Sequence, residues 1–429
     1  MVDLGDPQHP HVESTAYPLL ARSPAFHTPV DWAGDTFYVR TALDAPHARI
    51  VALDLRDREG ATPRTIVPEA SDVIVDAVIA GGRLVVNYLS DVHSRVRLFD
   101  LDGTAHGEIP LPGLGAVGWP LSSRVSSPEL FFSFQSFLEP TSILSCNVRT
   151  GKVHSVRRGR AAFDANRYET RQVFYPSKDG TRIPMFVTAP RGVALDGSHP
   201  VFLTAYGGYG STMLPAYSAD VPVWLEQGGI YALANIRGGG EYGEAWHRAG
   251  MLEHKQTSFD DFIAAAEYLV KTGYTQPGRI AVYGHSNGGL LIGAVLTQRP
   301  DLFGAAVANA GHYDMLRYQR FTAGAAWVAE YGSSDDSTAF DYLRAYSPLQ
   351  NVRPGTCYPA TLLLAADHDD RVVPAHAYKF AAALQAAQAC DHPVLLRVAV
   401  NASHNYASQS EMIAEHADMF AFILANLAR

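Results

Sequence analysis

Up to about residue 160 the chain alternates short apolar runs with turn clusters. Examples are Thr36-Phe-Tyr-Val-Arg, Ile50-Val-Ala-Leu-Asp-Leu, Arg83-Leu-Val-Val-Asn-Tyr, Val96-Arg-Leu-Phe-Asp-Leu and Glu129-Leu-Phe-Phe-Ser-Phe. Runs of this length, rich in β-branched and aromatic residues, predict strands, and Asp102-Gly103 and Thr150-Gly151 fall where hairpin turns would lie. Their spacing repeats loosely at about 40 to 45 residues, which predicts four-stranded, blade-like units rather than a sandwich. About three such units fit, fewer than the roughly 4 to 8 blades with which propellers close. The expectation is a partial propeller-like region. Its open edges would be covered by a second copy of the chain or by the domain that follows, or the gene is a shortened version of something larger.

From about residue 168 strands alternate with helices. Val201-Phe-Leu-Thr, Ile230-Tyr-Ala-Leu-Ala, Ile280-Ala-Val-Tyr, Ala305-Ala-Val-Ala, Thr361-Leu-Leu-Leu-Ala and Val394-Leu-Leu-Arg-Val-Ala-Val are near-continuous apolar runs. Strands buried on both faces of a parallel sheet have this pattern. Between them Phe259, Phe262, Ile263, Ala266, Leu269 and Val270 mark one face of a helix with Ser258 as its N-cap. The stretch from Ser410 to Leu427 repeats the period through Ile413, Met419, Phe420, Phe422 and Ile423. The predicted fold class is α/β, with a doubly wound sheet over 166–429 preceded by an all-β, roughly three-bladed region over 1–165.

Composition narrows the function. A formal charge of −9 argues against a nucleic-acid footprint, which needs a basic face. No run of about 18 apolar residues predicts a membrane span. The N-terminus, Met-Val-Asp-Leu-Gly-Asp-Pro, lacks a cationic-then-apolar pattern, so a cytoplasmic protein is expected. Cys146, Cys357 and Cys390 are widely spaced and read as buried or incidental thiols, not as a disulfide framework or a zinc site.

The chemistry centres on Gly284-His285-Ser286-Asn287-Gly288-Gly289, set between an apolar strand and an apolar helix. A sharp strand-to-helix turn presents a serine hydroxyl to both a base and an oxyanion site, and the helix N-terminus places the Asn287 amide beside the attacked carbonyl. In α/β hydrolases the acid and then the histidine follow in loops after later strands. The strand ending at Ala366 runs into Asp367-His368-Asp369-Asp370-Arg371, which must supply the acid. His404 is the histidine placed just past the end of the next strand. His285 reads as structural. A metal site at Asp367, His368, Asp369 and Asp370 is set aside because adjacent residues on an extended loop diverge. No metal and no cofactor are expected.

These residues carry a family resemblance. The stretches Phe174-Tyr-Pro-Ser-Lys-Asp-Gly-Thr-Arg-Ile-Pro-Met, Ala205-Tyr-Gly-Gly-Tyr-Gly and Ala234-Asn-Ile-Arg-Gly-Gly-Gly-Glu-Tyr-Gly resemble the prolyl oligopeptidase family of serine peptidases. So do the turn at Ser286, Gln298-Arg-Pro-Asp-Leu-Phe-Gly and Ala366-Asp-His-Asp-Asp-Arg-Val-Val-Pro. Coverage runs from 168 to 429, with weaker likeness to that family's later blades at Thr65-Ile-Val-Pro-Glu and Asn87-Tyr-Leu-Ser-Asp-Val. The resemblance implies Asp369 rather than Asp370 as the acid of a Ser286–His404–Asp369 triad. It implies Tyr206 and the Asn287 amide as the oxyanion hole and Arg371 as the holder of a substrate carbonyl. Trp327 would stack on a P1 proline, with Tyr331 and Val372 lining the same pocket. Proline offers no N–H, so shape and aromatic stacking must recognise it.

The sequence departs from the family in places. Tyr209 stands where phenylalanine is usual and His312 where an apolar residue is usual, which implies a more polar P1 pocket. Ser403-His404-Asn405 replaces Gly-His-Gly, and the first blades of the propeller are missing from the pattern. The expected function is peptide hydrolysis after proline, with a peptide or small acyl group as substrate. The alternative is an esterase, acyl transferase or cyclase using the same triad. A non-enzymatic binding module is the third reading, opposed by the complete set of reactive residues.

Overall fold

A computed structural model describes residues 25–57, 62–118, 120–405 and 408–427, together with positions 9, 11 and 13. The N-terminal run 1–7 quoted above lies outside the described residues. Two compact units emerge. One comprises Met1–Ala161 with Leu214–Ala216, the other Ala162–Met213 with Tyr217–Arg429.

The first unit is built of three antiparallel sheets. One contains β1 (His27–Ala33), β2 (Thr36–Thr41), β3 (Arg49–Asp54) and β4 (Arg64–Val67). The next contains β5 (Val73–Ala80), β6 (Arg83–Ser90), β7 (His93–Asp100) and β8 (Ala105–Ile109). The third has five strands, β9 (Ala116–Val117), β10 (Ser122–Ser123), β11 (Glu129–Gln135), β12 (Ser142–Asn147) and β13 (Lys152–Arg157). Within the first two sheets strands follow one another up and down, in the third the short β9 and β10 both pair with β11, and the hairpins predicted at Asp102-Gly103 and Thr150-Gly151 join β7 to β8 and β12 to β13. Alternation explains how the sheets pack. On β6, Leu84, Val86 and Tyr88 enter a core shared with the first sheet, while Val85 enters a core shared with the third. Burying each such side chain contributes about 1.5–3 kcal/mol.

The second unit holds an eight-stranded sheet. Its strands are β14 (Tyr168–Pro176), β15 (Arg182–Pro190), β16 (Val201–Thr204), β17 (Ile230–Ala234), β18 (Ile280–His285), β19 (Ala305–Asn309), β20 (Ala360–Ala366) and β21 (Val394–Ala399). They lie in the order β14-β15-β17-β16-β18-β19-β20-β21. The pairings from β17 through β21 are parallel, whereas β14 and β15 join antiparallel at one edge, a hairpin whose strands are not continuous apolar runs. The helices are α1 (Asp220–Glu226), α2 (Glu244–Arg248), α3 (Gln256–Lys271), α4 (Asn287–Gln298), α5 (Val328–Tyr331), α6 (Ser337–Tyr346), α7 (Ala375–Ala387) and α8 (Gln409–Asn426).

Period-two alternation divides these helices between the two faces. Leu203, Val282, Ala306 and Leu363 pack with α3, α4 and α7, while Phe202, Ala281, Val307 and Leu362 pack with α1 and α8. This is the doubly wound arrangement expected. Two details differ from the sequence reading. Ser258 is not the N-cap of α3: the helix begins two residues earlier, and the Ser258 hydroxyl is buried, donating to the Arg237 carbonyl at 2.7 Å. Ile413 fits the apolar period of α8 but is exposed, because the sheet covers only the later turns through Met419, Phe420, Phe422 and Ile423.

The cysteine expectation is also corrected. Cys357 and Cys390 form a disulfide, and Cys146 alone is a free buried thiol. Thr356 pairs with Gln388 as an isolated parallel bridge, so the chain leaving α7 returns beside the segment that enters β20. The 33-residue separation conceals a contact that the crossover makes. His392 lies beside the pair, making the three residues the one cluster of metal-ligating type among the described residues. No helix among those residues is long and apolar enough to cross a membrane.

Candidate active site

The turn between β18 and α4 places Ser286 in a backbone conformation that few non-glycine residues adopt, with φ 59° and ψ −119°. Such a conformation costs about 1–3 kcal/mol and persists only where surroundings impose it. Here the Ser286 amide donates to the Asn309 carbonyl at 2.9 Å, and its carbonyl accepts the Leu290 amide at 3.1 Å. The turn also demands glycine at 284, where a Cβ would stand 2.1 Å from the Gly288 carbonyl oxygen. The sharp strand-to-helix geometry expected of a nucleophile is therefore present.

Asp369 follows β20 and is buried, whereas Asp370 beside it is exposed. Oδ1 of Asp369 accepts the amides of Arg371 and Val372 at 2.9 and 2.8 Å, and Oδ2 accepts Nδ1–H of His404 at 2.7 Å. Two backbone donors fix the carboxylate, and the carboxylate fixes the imidazole tautomer and leaves Nε2 as the basic nitrogen. The His285 and His404 rings lie 4.8 Å apart, with His285 Nε2 3.2 Å from the His404 carbonyl oxygen. Burial, helped by the neighbouring His404, pushes the His285 imidazole down to about 4, so it stays neutral at pH 7. A cavity of about 180 Å³ opens beside Asp369 and His404, lined also by His285, Asn309, Arg397 and Glu415.

On the other side of the serine lies the loop 205–210. Burial raises the Tyr206 phenol, opposed by its hydrogen bond to Ser286 and by the Arg371 charge. The Asn287 carboxamide ties this loop down, donating from Nδ2 to the Tyr206 carbonyl at 2.6 Å and accepting the Tyr331 hydroxyl at Oδ1 at 2.8 Å. Gly208 must lack a side chain because its Cβ would meet Asn287 Nδ2 at 2.6 Å. Tyr206, the Asn287 amide and the Ser286 hydroxyl thus share one small region of the fold.

Of the remaining predicted residues, Tyr209, Tyr331, Trp327 and His312 form an aromatic cluster next to it, while Arg371 and Val372 follow Asp369 and give their amides to its carboxylate. Tyr209 and Tyr331 pack edge to face at 5.7 Å, and His312 meets Trp327 at 4.5 Å and Tyr331 at 5.8 Å. Tyr209 and Arg371 are exposed, Trp327 is half-buried, and Tyr331 and Val372 are buried. His312 is fully enclosed, and neither ring nitrogen has a hydrogen-bond partner or reaches solvent. Its polarity therefore stays behind Trp327 instead of facing outward, and burial holds the ring neutral.

Sequence reasoning missed the charges beneath this cluster. Lys255 and Glu330 are almost fully buried, with Nζ and Oε1 3.6 Å apart. In sequence Lys255 follows Glu253-His254, a run of charged and polar residues that would ordinarily face water. Nothing in the local pattern marks it as core, since lysine is almost never buried unless paired.

The chain matches two family models, the prolyl oligopeptidase family over residues 215–429 and its N-terminal β-propeller domain over residues 8–158. It is 43% identical over 398 residues to a prolyl endopeptidase of Elizabethkingia miricola, covering 92% of this chain and 56% of that one. It is 35% identical over 405 residues to a dual function macrocyclase-peptidase of Amanita bisporigera, covering 92% of this chain and 55% of that protein. Among solved structures, a prolyl endopeptidase superposes with a TM-score of 0.90 at 42% identity over 98% of this chain and 62% of its own. Prolyl oligopeptidase B from Galerina marginata, bound to a 35mer hydrolysis and macrocyclization substrate, gives 0.90 at 31% identity over 99% and 60%. This chain belongs to the prolyl oligopeptidase family. It spans about half the length of the curated relatives it matches.

Proposed function

We propose that the chain is a serine hydrolase that cleaves peptide bonds, preferentially after proline, through an acyl-enzyme. The observation that carries this is the Asp369–His404 hydrogen bond of 2.7 Å set at the strand ends beside the strained Ser286 turn. Ser286 Oγ attacks the substrate carbonyl while His404 Nε2 takes its proton, then returns it to the leaving amine. Asp369 holds the imidazole and stabilises its charged form. Water repeats the sequence on the acyl-enzyme. The Tyr206 hydroxyl and the Asn287 amide donate to the tetrahedral oxyanion, each such donor typically contributing about 3 kcal/mol. Trp327, Tyr331, Tyr209 and Val372 enclose the P1 ring, Arg371 holds a substrate carbonyl, and His312 backs Trp327.

Replacing Ser286 by alanine is expected to abolish turnover of an acyl-prolyl chromogenic amide, and covalent labelling by a fluorophosphonate, without changing the melting curve. Undiminished turnover in that variant refutes the assignment.

A second reading keeps the acyl-enzyme and changes the acceptor. The likeness to a macrocyclase-peptidase, and to a structure holding a macrocyclization substrate, favours transfer of the acyl group to an amine. Product analysis with a long peptide separates cyclic from linear products. Self-association through the sheets of the first unit is part of the same proposal and is read by light scattering. So is cytoplasmic placement. In that reducing compartment the Cys357–Cys390 pair would stand as two thiols, which alkylation at lysis would count.

A further inference from the structure

Beneath the loop that carries Tyr206 lies a buried charge cluster that the proposed reaction does not use. Lys255 Nζ donates to the Gly207 carbonyl at 2.7 Å. Glu330 Oε1 accepts the Tyr209 amide at 3.0 Å, and Oε2 accepts from His247 Nε2 at 2.8 Å. Lys255 and Glu330 are joined at 3.6 Å, and the Lys255 ammonium also lies 5.5 Å from the centre of the Tyr331 ring. One ion pair thus grips the loop on both sides of Gly208, and the Asn287 carboxamide holds it at Tyr206. Tyr209 needs that grip, because its φ of 58° is a conformation tyrosine does not choose freely.

The electrostatics fit a permanent fixture. Burial lowers the Lys255 ammonium to about 8 against the pull of Glu330, so it stays largely charged at pH 7. Burial raises the Glu330 carboxyl, but His247 and Lys255 outweigh it and leave it below the ordinary value. Two buried charges cost several kcal/mol to desolvate, and a pair with apolar replacements would often be no less stable. Stability alone is therefore a poor reason for the pair. A carbonyl and an amide held from below by oppositely charged partners are a good one.

We infer that Lys255 and Glu330 are positioning residues that set the height of the Tyr206 hydroxyl above Ser286. This rests on the reading of Tyr206 as an oxyanion donor. Neither residue touches substrate. Each acts through the loop, and a displacement of about 1 Å in such a group can change the rate about 100-fold.

The test is a double-mutant cycle in the full chain between Lys255→Met and Tyr206→Phe. Methionine keeps the volume of the stem, and Glu330 retains His247 as partner. Two readouts serve: kcat and KM on an acyl-prolyl amide, and the rate of Ser286 labelling by a fluorophosphonate. The expected result is that Lys255→Met lowers kcat and the labelling rate about 10- to 100-fold, with KM moving less than about threefold. Once Tyr206 is phenylalanine, Lys255→Met adds less than about threefold. An equal loss in both backgrounds means Lys255 does not act through Tyr206 and overturns the inference. So does an unaltered rate in Lys255→Met beside a costly Tyr206→Phe, an outcome that leaves the oxyanion assignment standing. A silent Tyr206→Phe removes that assignment and the inference with it. If Lys255→Met fails to melt cooperatively, Glu330→Gln enters the same cycle with the same expectations.

Discussion

The hydroxyl of Tyr331 donates to Oδ1 of Asn287 at 2.8 Å, joining a wall of the proposed P1 pocket to the residue that opens α4. The same carboxamide holds the Tyr206 carbonyl. Any residue at 287 keeps the backbone amide, so Asn287→Ala isolates the side chain. It takes the Asn287 acceptor from the buried Tyr331 hydroxyl, which also bonds Tyr209, at a cost of about 0.5–1.5 kcal/mol. Urea unfolding is expected to show this loss, and Asn287→Ala/Tyr331→Phe should recover part of it. A double variant no more stable than the single one would break the link.

Asp369 and Asp370 are adjacent and chemically identical, yet the fold treats them differently. Asp369→Asn removes the acceptor for His404 Nδ1–H and is expected to lower kcat about 10⁴-fold. Asp370→Asn alters an exposed group and should leave kcat within about threefold. Steady-state rates on one substrate decide, and comparable losses at both positions would contradict the geometry.

Glu241 is buried, and its Oε1 accepts the Met213 amide and Asn235 Nδ2 while Oε2 has no partner. Burial raises its carboxyl from 4.5 to about 7. The folded chain holds this proton more tightly than the unfolded chain. The resulting stability is complete below pH 4.5 and lost as pH rises to about 7. Glu241→Gln removes the titration. The variant should gain stability relative to wild type from pH 5 to pH 8, by up to about 3 kcal/mol. A difference that does not vary with pH would rule out this source.

His376 behaves in the opposite sense. Burial lowers it from 6.5 to about 4, against the charge of Asp314, and its Nδ1 accepts the Asp314 amide at 3.1 Å. The unfolded chain takes up this proton first, so the stability due to neutral His376 is present above pH 6.5 and falls away toward pH 4. His376→Gln should therefore lose less stability than wild type on acidification across that window. Denaturant midpoints at pH 7, 5.5 and 4.5 test this, and parallel curves would refute it.

The Cys357–Cys390 bond closes a loop with a sequence separation of 33 residues, and loops of that order lose about 3–4 kcal/mol of stabilisation when opened. Dithiothreitol should lower the melting temperature of the wild type and leave that of Cys357→Ser/Cys390→Ser unmoved. Equal sensitivity of both proteins would show the bond to be absent in solution.

Much of this protein is legible in one dimension. Apolar runs gave the parallel strands because a strand covered on both faces has no polar face to show, and turn dipeptides gave the hairpins because their backbone demands particular residues. The Ser286 turn could be read for the same local reason, its glycines answering to contacts within a few residues. Ser258 has the look of an N-cap because a serine precedes the apolar period, but the helix starts two residues earlier; Ile413 fits the period, but only the neighbours of a helix decide which turns are covered.

Sequence by itself determined the two regions, their strand types and the order along the chain of the residues proposed to react, since all of these follow from local periodicity and turn chemistry. Tertiary structure decided what distant segments do to one another. It buries Asp369 and exposes Asp370, brings Cys357 to Cys390, and carries Lys255 and Glu330 beneath the Tyr206 loop. Such choices depend on desolvation and distance, which arise only when segments far apart in the chain come into contact.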